Sequence, residues 1–479
     1  MLFSSITFLF YFAPILLAAY YGLRVRDTVL LLGSVIFYTW GEQLYVLLLI
    51  ASIGVNYWLG LAIARSTDRR RLWLLIAGVS GNVAVLAYFK YLHFFLTALS
   101  GIVHLRPSVT AFNPHLILGI SFFTFQLISY LADIYTKRVE PEKTPTSFAI
   151  YILMFPHLIA GPIVRFADIR KELHARALSV GHFGLGLQYF IVGLAQKVLI
   201  ANTLAGPADT VFALPHEQLT GASAWIGLLS YTLQIFFDFC GYSNMAIGLA
   251  FMLGFRFPKN FDYPYAASSL TDFWRRWNMS LSFWFRDYVY IPLGGNRGST
   301  LSTVRNLVIV FLLTGLWHGA AWTFVVWGLY HGMILLLERF CIGRLLARMS
   351  PLFQRLYVLL VVMVGWVFFR ASTIKEAWRY LRALIVPPTW SLHEPPIFWL
   401  SPEAMAALIL GLILSQPFLP SLLDHLGRPR IGRDPTVIEP RLDTYYVHAL
   451  PLVVLAVLMV ISVILLVSGT LNPFLYFRF

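Results

Sequence analysis

This sequence predicts an all-α protein that crosses a membrane about twelve times, and three observations predict it. Of 479 residues, 58% are hydrophobic and 12% charged, with a mean hydropathy of +0.72, whereas a soluble domain is roughly half apolar and a quarter charged. Apolar runs of helical length recur along the chain, and Lys and Arg are concentrated in alternate loops. These features exclude a disordered, collagenous or disulfide-built chain. The two cysteines, Cys240 and Cys341, lie in or beside apolar runs. They provide neither a disulfide framework nor a cysteine zinc site.

In chain order the runs fall near 5–22, 28–40, 43–63, 72–99, 114–135, 182–203, 222–250, 303–316, 321–338, 353–369, 403–422 and 446–468. The start, MLFSSITFLFYF, has no basic residue before Arg24, so it reads as a retained first helix rather than a cleavable signal peptide. The run at 148–163 is broken by Pro156, Gly161 and Pro162 and has basic residues on both flanks. Equal flanks predict a re-entrant segment that enters and leaves on one side. No internal repeat is visible, so the chain reads as one transmembrane domain over 1–479.

Thirty-six Lys and Arg against 22 Asp and Glu give a net charge of +14. With the N-terminus outside, 28 of the 36 fall in inner loops and six outside: Arg106, Arg370, Lys375, Arg379, Arg382 and Arg478. That asymmetry predicts an inner-membrane protein with a basic cytoplasmic face and a periplasmic N-terminus. It explains the charge without a nucleic-acid partner.

Two runs, 28–40 and 303–316, are only 13 and 14 residues long, about 20 Å as α-helix. They predict a recess that thins the protein, because short or broken helices persist only where protein or water covers the backbone. The second run leads into Thr314-Gly315-Leu316-Trp317-His318-Gly319, the first arm of a hairpin over 303–338. An intramembrane histidine is a functional candidate, and imidazole suits proton transfer near neutral pH. The plainer reading is a core histidine hydrogen-bonded across helices. His331, between Tyr330 and Gly332, and His157, in the Pro-Gly segment, read mainly as structural, with His331 a weaker substrate candidate.

Upstream, Trp274, Trp277, Leu281, Trp284 and Tyr288 recur at spacings of 3, 4, 3 and 4. They describe one face of a helix over 270–290, capped by Thr271 and lying at the cytoplasmic interface. Asn278, Ser280 and Ser282 form a polar run inside that helix and are candidates to face the recess. Arg275, Arg276 and Arg286 are candidates for an anionic ligand such as a nucleotide phosphate. The following Pro292-Leu293-Gly294-Gly295-Asn296 reads as a turn, since no Walker or Rossmann spacing is present. Lys90 and Lys197 are expected to snorkel or to pair with Asp133 or Asp238. No paired carboxylates or His-rich metal cluster appear.

Several segments in this order resemble the membrane-bound O-acyltransferase family, in particular the membrane subunits of alginate and related exopolysaccharide acetylation. They are Leu2-Phe3-Ser4-Ser5, Tyr88-Phe89-Lys90-Tyr91, Gly119 to Gln126, Ala160 to Arg165, Gln234 to Ser243, Phe273-Trp274-Arg275-Arg276-Trp277, Pro292 to Arg297 and Gly315 to Trp322. The resemblance implies that family's fold, helices around a central tunnel. It puts His318 at the catalytic histidine and Asn278 at a second polar position where relatives carry histidine. An amide is no base, but it can donate a hydrogen bond to a carbonyl. Trp277, Ser282, Trp317 and His331, with the arginines, become candidates for donor or substrate contact.

The resemblance further implies a thioester substrate, acetyl-CoA, rather than a bound cofactor or metal, and periplasmic acetylation partners. The expected function is transfer of acetyl from a cytosolic thioester towards a periplasmic acceptor in exopolysaccharide O-acetylation. Alternatives are D-alanyl transfer from a carrier protein to teichoic acid, a polysaccharide transporter or channel, and a structural scaffold.

Overall fold

The computed structural model describes residues 1–103, 106, 111–385, 400–426, 430–431, 447–448 and 450–469. Each of the twelve apolar runs corresponds to helix within them. Among the described residues, seven helical stretches are long and apolar enough to cross a membrane: Arg26–Arg65, Asp68–Ser100, Val180–Phe212, Gly221–Met252, Thr300–His318, Trp322–Arg348 and Pro351–Arg370. Shorter apolar helices are Phe8–Gly22, Ile120–Tyr135, Pro402–Leu414 and Leu452–Ser468. The first long stretch is two helices, Arg26–Glu42 and Val46–Arg65, turned at Gln43 with φ 46°. A two-residue antiparallel pair, Arg430–Ile431 with Val447–His448, is the one addition to the helical plan among the described residues. Most of the basic loop at 428–441 lies outside the described residues.

Both expected short helices extend beyond their apolar runs. The run at 28–40 lies within the 17-residue helix Arg26–Glu42, and that at 303–316 within the 19-residue helix Thr300–His318. Hydropathy stops a run at its first polar residues, whereas backbone hydrogen bonding continues through them. In the second case the helix starts where the Ser299 hydroxyl accepts the Ser302 N–H at 3.2 Å, an N-cap one turn before the apolar run.

The chain packs as two compact units, Met1–Phe190 with Asn244–Pro258, and Ile191–Ser243 with Lys259–Phe479. The sequence, read as one domain, offers no boundary between them, because hydropathy identifies apolar helices and not which helices pack together.

In the first unit the Ile120–Tyr135 helix is buried over nearly its whole length. Small residues let its neighbours approach: Gly60 faces Tyr130 and Ile134, and Gly78 faces Leu131, the packing expected where apolar side chains give no preference over lipid. Asn56 and Asn82 join the Val46–Arg65 and Asp68–Leu86 helices through reciprocal amide hydrogen bonds of 3.1 and 2.7 Å. Arg71 donates at 2.8 Å to the carbonyls of Ile134 and Tyr135, where the helix presents its negative end. The segment at 148–163 breaks after Pro145–Leu153 and again after Phe155–Leu158. There Gly119, at φ +75°, meets the Leu158 carbonyl with no room for a Cβ. His157 is buried and bonds the Tyr151 carbonyl at 2.9 Å, a local structural contact.

In the second unit Lys197 and Asp238 form a buried ion pair. Lys90, in the first unit, meets the Ser121 hydroxyl at 3.4 Å, and Asp133 pairs with Arg138 at 3.7 Å.

Replacing Asn56 by Ala leaves the buried side-chain oxygen of Asn82 without its donor, while the Asn82 amide nitrogen keeps its bond to Gly78 O. The replacement should cost about 1–2 kcal/mol, and Asn56→Ala with Asn82→Ala should cost less than the two single changes summed. Thermal unfolding of the purified protein in detergent measures both.

Candidate active site

A cavity of about 1240 Å³ opens within the second unit. Its construction starts at the Leu270–Arg276 helix. Ser269 caps that helix by accepting the Asp272 N–H at 3.1 Å. The buried carboxylate of Glu338 accepts the N–H groups of Leu270 and Thr271 at 2.6 and 3.2 Å, and the Thr271 hydroxyl at 3.3 Å. A carboxylate at a helix N-terminus satisfies orphan donors and meets the positive end of the dipole. The cap expected of Thr271 is thus made by a neighbour and by a residue 67 positions away, and Thr271 is one of the donors.

The expected single helix over 270–290 breaks after Arg276 and restarts as Met279–Phe285, followed by a π-helical turn, Arg286–Tyr290. Asn278 sits at the break in the left-handed conformation, φ 42° and ψ 57°, which Asn tolerates better than most residues. Two backbone bonds pin the break to the preceding segment: Asp262 N–H to Arg276 O and Met279 N–H to Asn260 O, both 2.9 Å. The periodicity is blind to such a break because a bend of one residue leaves the apolar spacing unchanged.

Within the aromatic face, Trp277, Leu281 and Trp284 are buried and Trp274 and Tyr288 half-buried. Trp277 is 1% exposed and packs on Phe236, Phe261, Phe273 and Trp366 with centroids 4.9–6.1 Å apart. This protein core competes successfully with lipid for the tryptophan.

The break turns Asn278 into the cavity, where its side chain is 2% exposed and neither amide atom has a hydrogen-bond partner. Ser282 lines the same cavity. Ser280 is turned away and donates at 2.9 Å to Asn260, whose own amide donates to Ser243 at 3.1 Å.

His318 ends the Thr300–His318 helix, is 3% exposed, and reaches the cavity wall. Its ring lies edge-on to Trp317, Trp327 and Phe369 at 4.8, 4.9 and 5.0 Å, a box that restricts ring rotation. Gly315 and Gly328 let the Thr300–His318 and Trp322–Leu337 helices touch backbone to backbone: a Cβ on Gly328 would come 3.2 Å from Gly315 Cα.

Of the other sequence candidates, Arg275, Arg286 and Trp277 line the cavity, while Arg276, Trp317 and His331 do not. Arg276 is engaged by Asp272 at 2.9 Å. Trp317 supports the His318 ring from behind. His331 is fully buried against Trp274 and Trp327, at 5.2 and 4.9 Å. It is therefore a packing residue that reaches the cavity only through Trp274. Arg286 is held by its neighbour Asp287 at 2.6 and 2.9 Å. Arg275 has no carboxylate partner among the described residues and remains available to an anion.

Over residues 108–374 the chain matches the model of the membrane-bound O-acyltransferase family. A "Probable alginate O-acetylase" of Pseudomonas aeruginosa is 45% identical over 82% of this chain and 76% of its own length. One from Azotobacter vinelandii is 39% identical over the full length of both. The chain belongs to the membrane-bound O-acyltransferase family. A peptidoglycan O-acetyltransferase of Helicobacter pylori is 36% identical over 80% of each chain, so O-acetyl transfer recurs among these relatives on different polymers. This O-acyltransferase is a multi-pass membrane enzyme.

Sequence reasoning missed Glu338, Lys259 and Arg339, which also line the enzyme's cavity. For Glu338 a signal was present, a carboxylate closing the apolar run at 321–338, where an unpaired charge would be costly. Arg339 is tethered to Asn296 at 2.9 Å, and Lys259 to Asp262 at 2.7 Å. Neither tether has a sequence signature.

Glu338→Ala removes the acceptor of three donors and should destabilise the enzyme by about 1–3 kcal/mol, against less than about 1 kcal/mol for Thr271→Ala. The midpoints of thermal unfolding in detergent order the two variants.

Proposed function

We propose that this enzyme moves an acetyl group from a cytosolic thioester, acetyl-CoA, to a hydroxyl acceptor that serves O-acetylation of an alginate-like exopolysaccharide. The observation that carries the reading is that His318 and the unpartnered amide of Asn278 line one cavity. A proton acceptor, His318, and an unpartnered buried hydrogen-bond donor, the Asn278 amide, are the two groups that attack on a thioester requires.

In this mechanism His318 takes the proton of the acceptor hydroxyl as its oxygen attacks the thioester carbonyl carbon. The carbonyl oxygen gains negative charge, which the Asn278 Nδ2–H group stabilises. The intermediate then collapses by breaking the C–S bond, and the imidazolium returns its proton to the departing thiolate. Asn278 cannot carry the proton, so His318 alone does so at these two positions. Arg275, on the cavity wall and free of a carboxylate, meets the phosphates of the donor. The basic inner loops favour entry of that donor from the cytosol and delivery on the periplasmic side, to partner proteins that complete the transfer to polymer. Acetylase relatives at 39–45% identity favour acetyl over D-alanyl as the group carried. A transporter reading accounts for the intramembrane polar residues but not for the pairing of His318 with Asn278.

His318→Ala should leave the protein in the membrane at normal abundance and abolish polymer acetylation. Asn278→Ala should lower acetylation about 10²–10³-fold, the loss typical of removing one oxyanion donor. Mass spectrometry of the exopolysaccharide reads the acetyl content, and D-alanyl would give a different mass. Normal acetyl content in His318→Ala would overturn the mechanism.

A further inference from the structure

The helix Ile374–Ile385 plays no part in the cavity, and its three faces are chemically distinct. Ala377, Tyr380 and Ala383 are buried against the second unit. The Tyr380 hydroxyl donates to Ala224 O at 2.7 Å, its ring stacks on Phe212 at 4.2 Å, and Trp225 donates to Leu384 O at 3.1 Å. A second face is apolar and outward: at about 100° per residue, Ile374, Trp378, Leu381 and Ile385 form one stripe, with Trp378 63% and Ile385 84% exposed. Next to it lie Lys375, Arg379 and Arg382, all exposed.

The surroundings locate this helix along the membrane normal. It follows the apolar Pro351–Arg370 helix after three residues, 371–373, a tether of at most about 11 Å. Its contacts on Phe212 and on Ala224 and Trp225 fall at the end of the Val180–Phe212 stretch and the start of Gly221–Met252. Arg370 is also paired with Asp209 at 2.6 Å. The helix therefore crosses the ends of three apolar helices, at the level where hydrocarbon gives way to headgroups. An exposed Trp–Ile stripe adjoining a basic stripe suits that boundary and no other depth.

We infer that Ile374–Ile385 lies in the membrane interface, with Trp378 and Ile385 in the upper acyl region and Lys375, Arg379 and Arg382 on the phosphates of anionic phospholipids. With the N-terminus outside, this is the outer surface. Four of the six outer basic residues, Arg370, Lys375, Arg379 and Arg382, then gather here against the general charge asymmetry. A lipid-anchoring role gives them a reason to be there.

The test uses the full-length protein in nanodiscs, with Cys341→Ser removing the exposed native thiol and Trp378→Cys, Arg379→Cys or Ile385→Cys, one at a time, carrying a spin label. Labels at 378 and 385 should be relaxed more by lipid-soluble oxygen than by a water-soluble nickel chelate, with the order reversed at 379. Native mass spectrometry with phosphatidylglycerol should show severalfold less bound lipid for Lys375→Gln, Arg379→Gln, Arg382→Gln than for the parent. Chelate access at 378 equal to that at 379, or unchanged lipid retention in the triple variant, would overturn the inference. So would protection of the 378 label by a soluble oligouronate instead of lipid, which would make the patch a polysaccharide surface.

Discussion

The carboxylate of Glu338 accepting the first N–H groups of the Leu270–Arg276 helix is the contact on which the site depends. A seven-residue helix is too short to hold itself together in isolation, and its free N–H groups would be costly to bury. Glu338 supplies both an acceptor and a negative charge at that end. At the other end, the backbone bonds from Asp262 and Met279 hold the break. With both ends held, Asn278 can occupy a left-handed conformation and aim a buried amide into the cavity.

The same residue links the two halves of the site. Glu338 directly follows the Trp322–Leu337 helix, which packs through Gly328 against the helix that ends in His318. A displacement of that helix would reach the Asn278 break through the cap and His318 through the glycine contact. The aromatic rings around His318 and the core around Trp277 include Trp327, Phe369 and Trp366, and these too contact one another at 5.4–6.3 Å. Histidine and amide thus both adjoin one continuous aromatic cluster.

Helix existence was legible almost throughout, since the run near 222–250 and that near 353–369 match Gly221–Met252 and Pro351–Arg370 to within a few residues. Helix ends were less so: Ser299 starts its helix through one hydroxyl bond that no hydropathy profile registers. His318 could be singled out by its glycines and its place in an apolar run, and the resemblance pointed to Asn278. The roles of Arg276 and His331 could not be read. Whether an arginine faces a cavity or an aspartate, and whether a histidine faces a cavity or a tryptophan, depends on residues distant in the chain.

By itself, then, the sequence determined the solvent, the helices and the chemical types at the site, because hydrophobicity and residue chemistry are local properties. Tertiary structure alone decided that the 270–290 segment breaks at Asn278, that Glu338 caps a helix 67 residues earlier in the chain, and that Trp277 packs into protein core. Each of these is a competition between partners, lipid against protein or one acceptor against another. Such a competition is settled only when segments far apart in sequence are brought into contact.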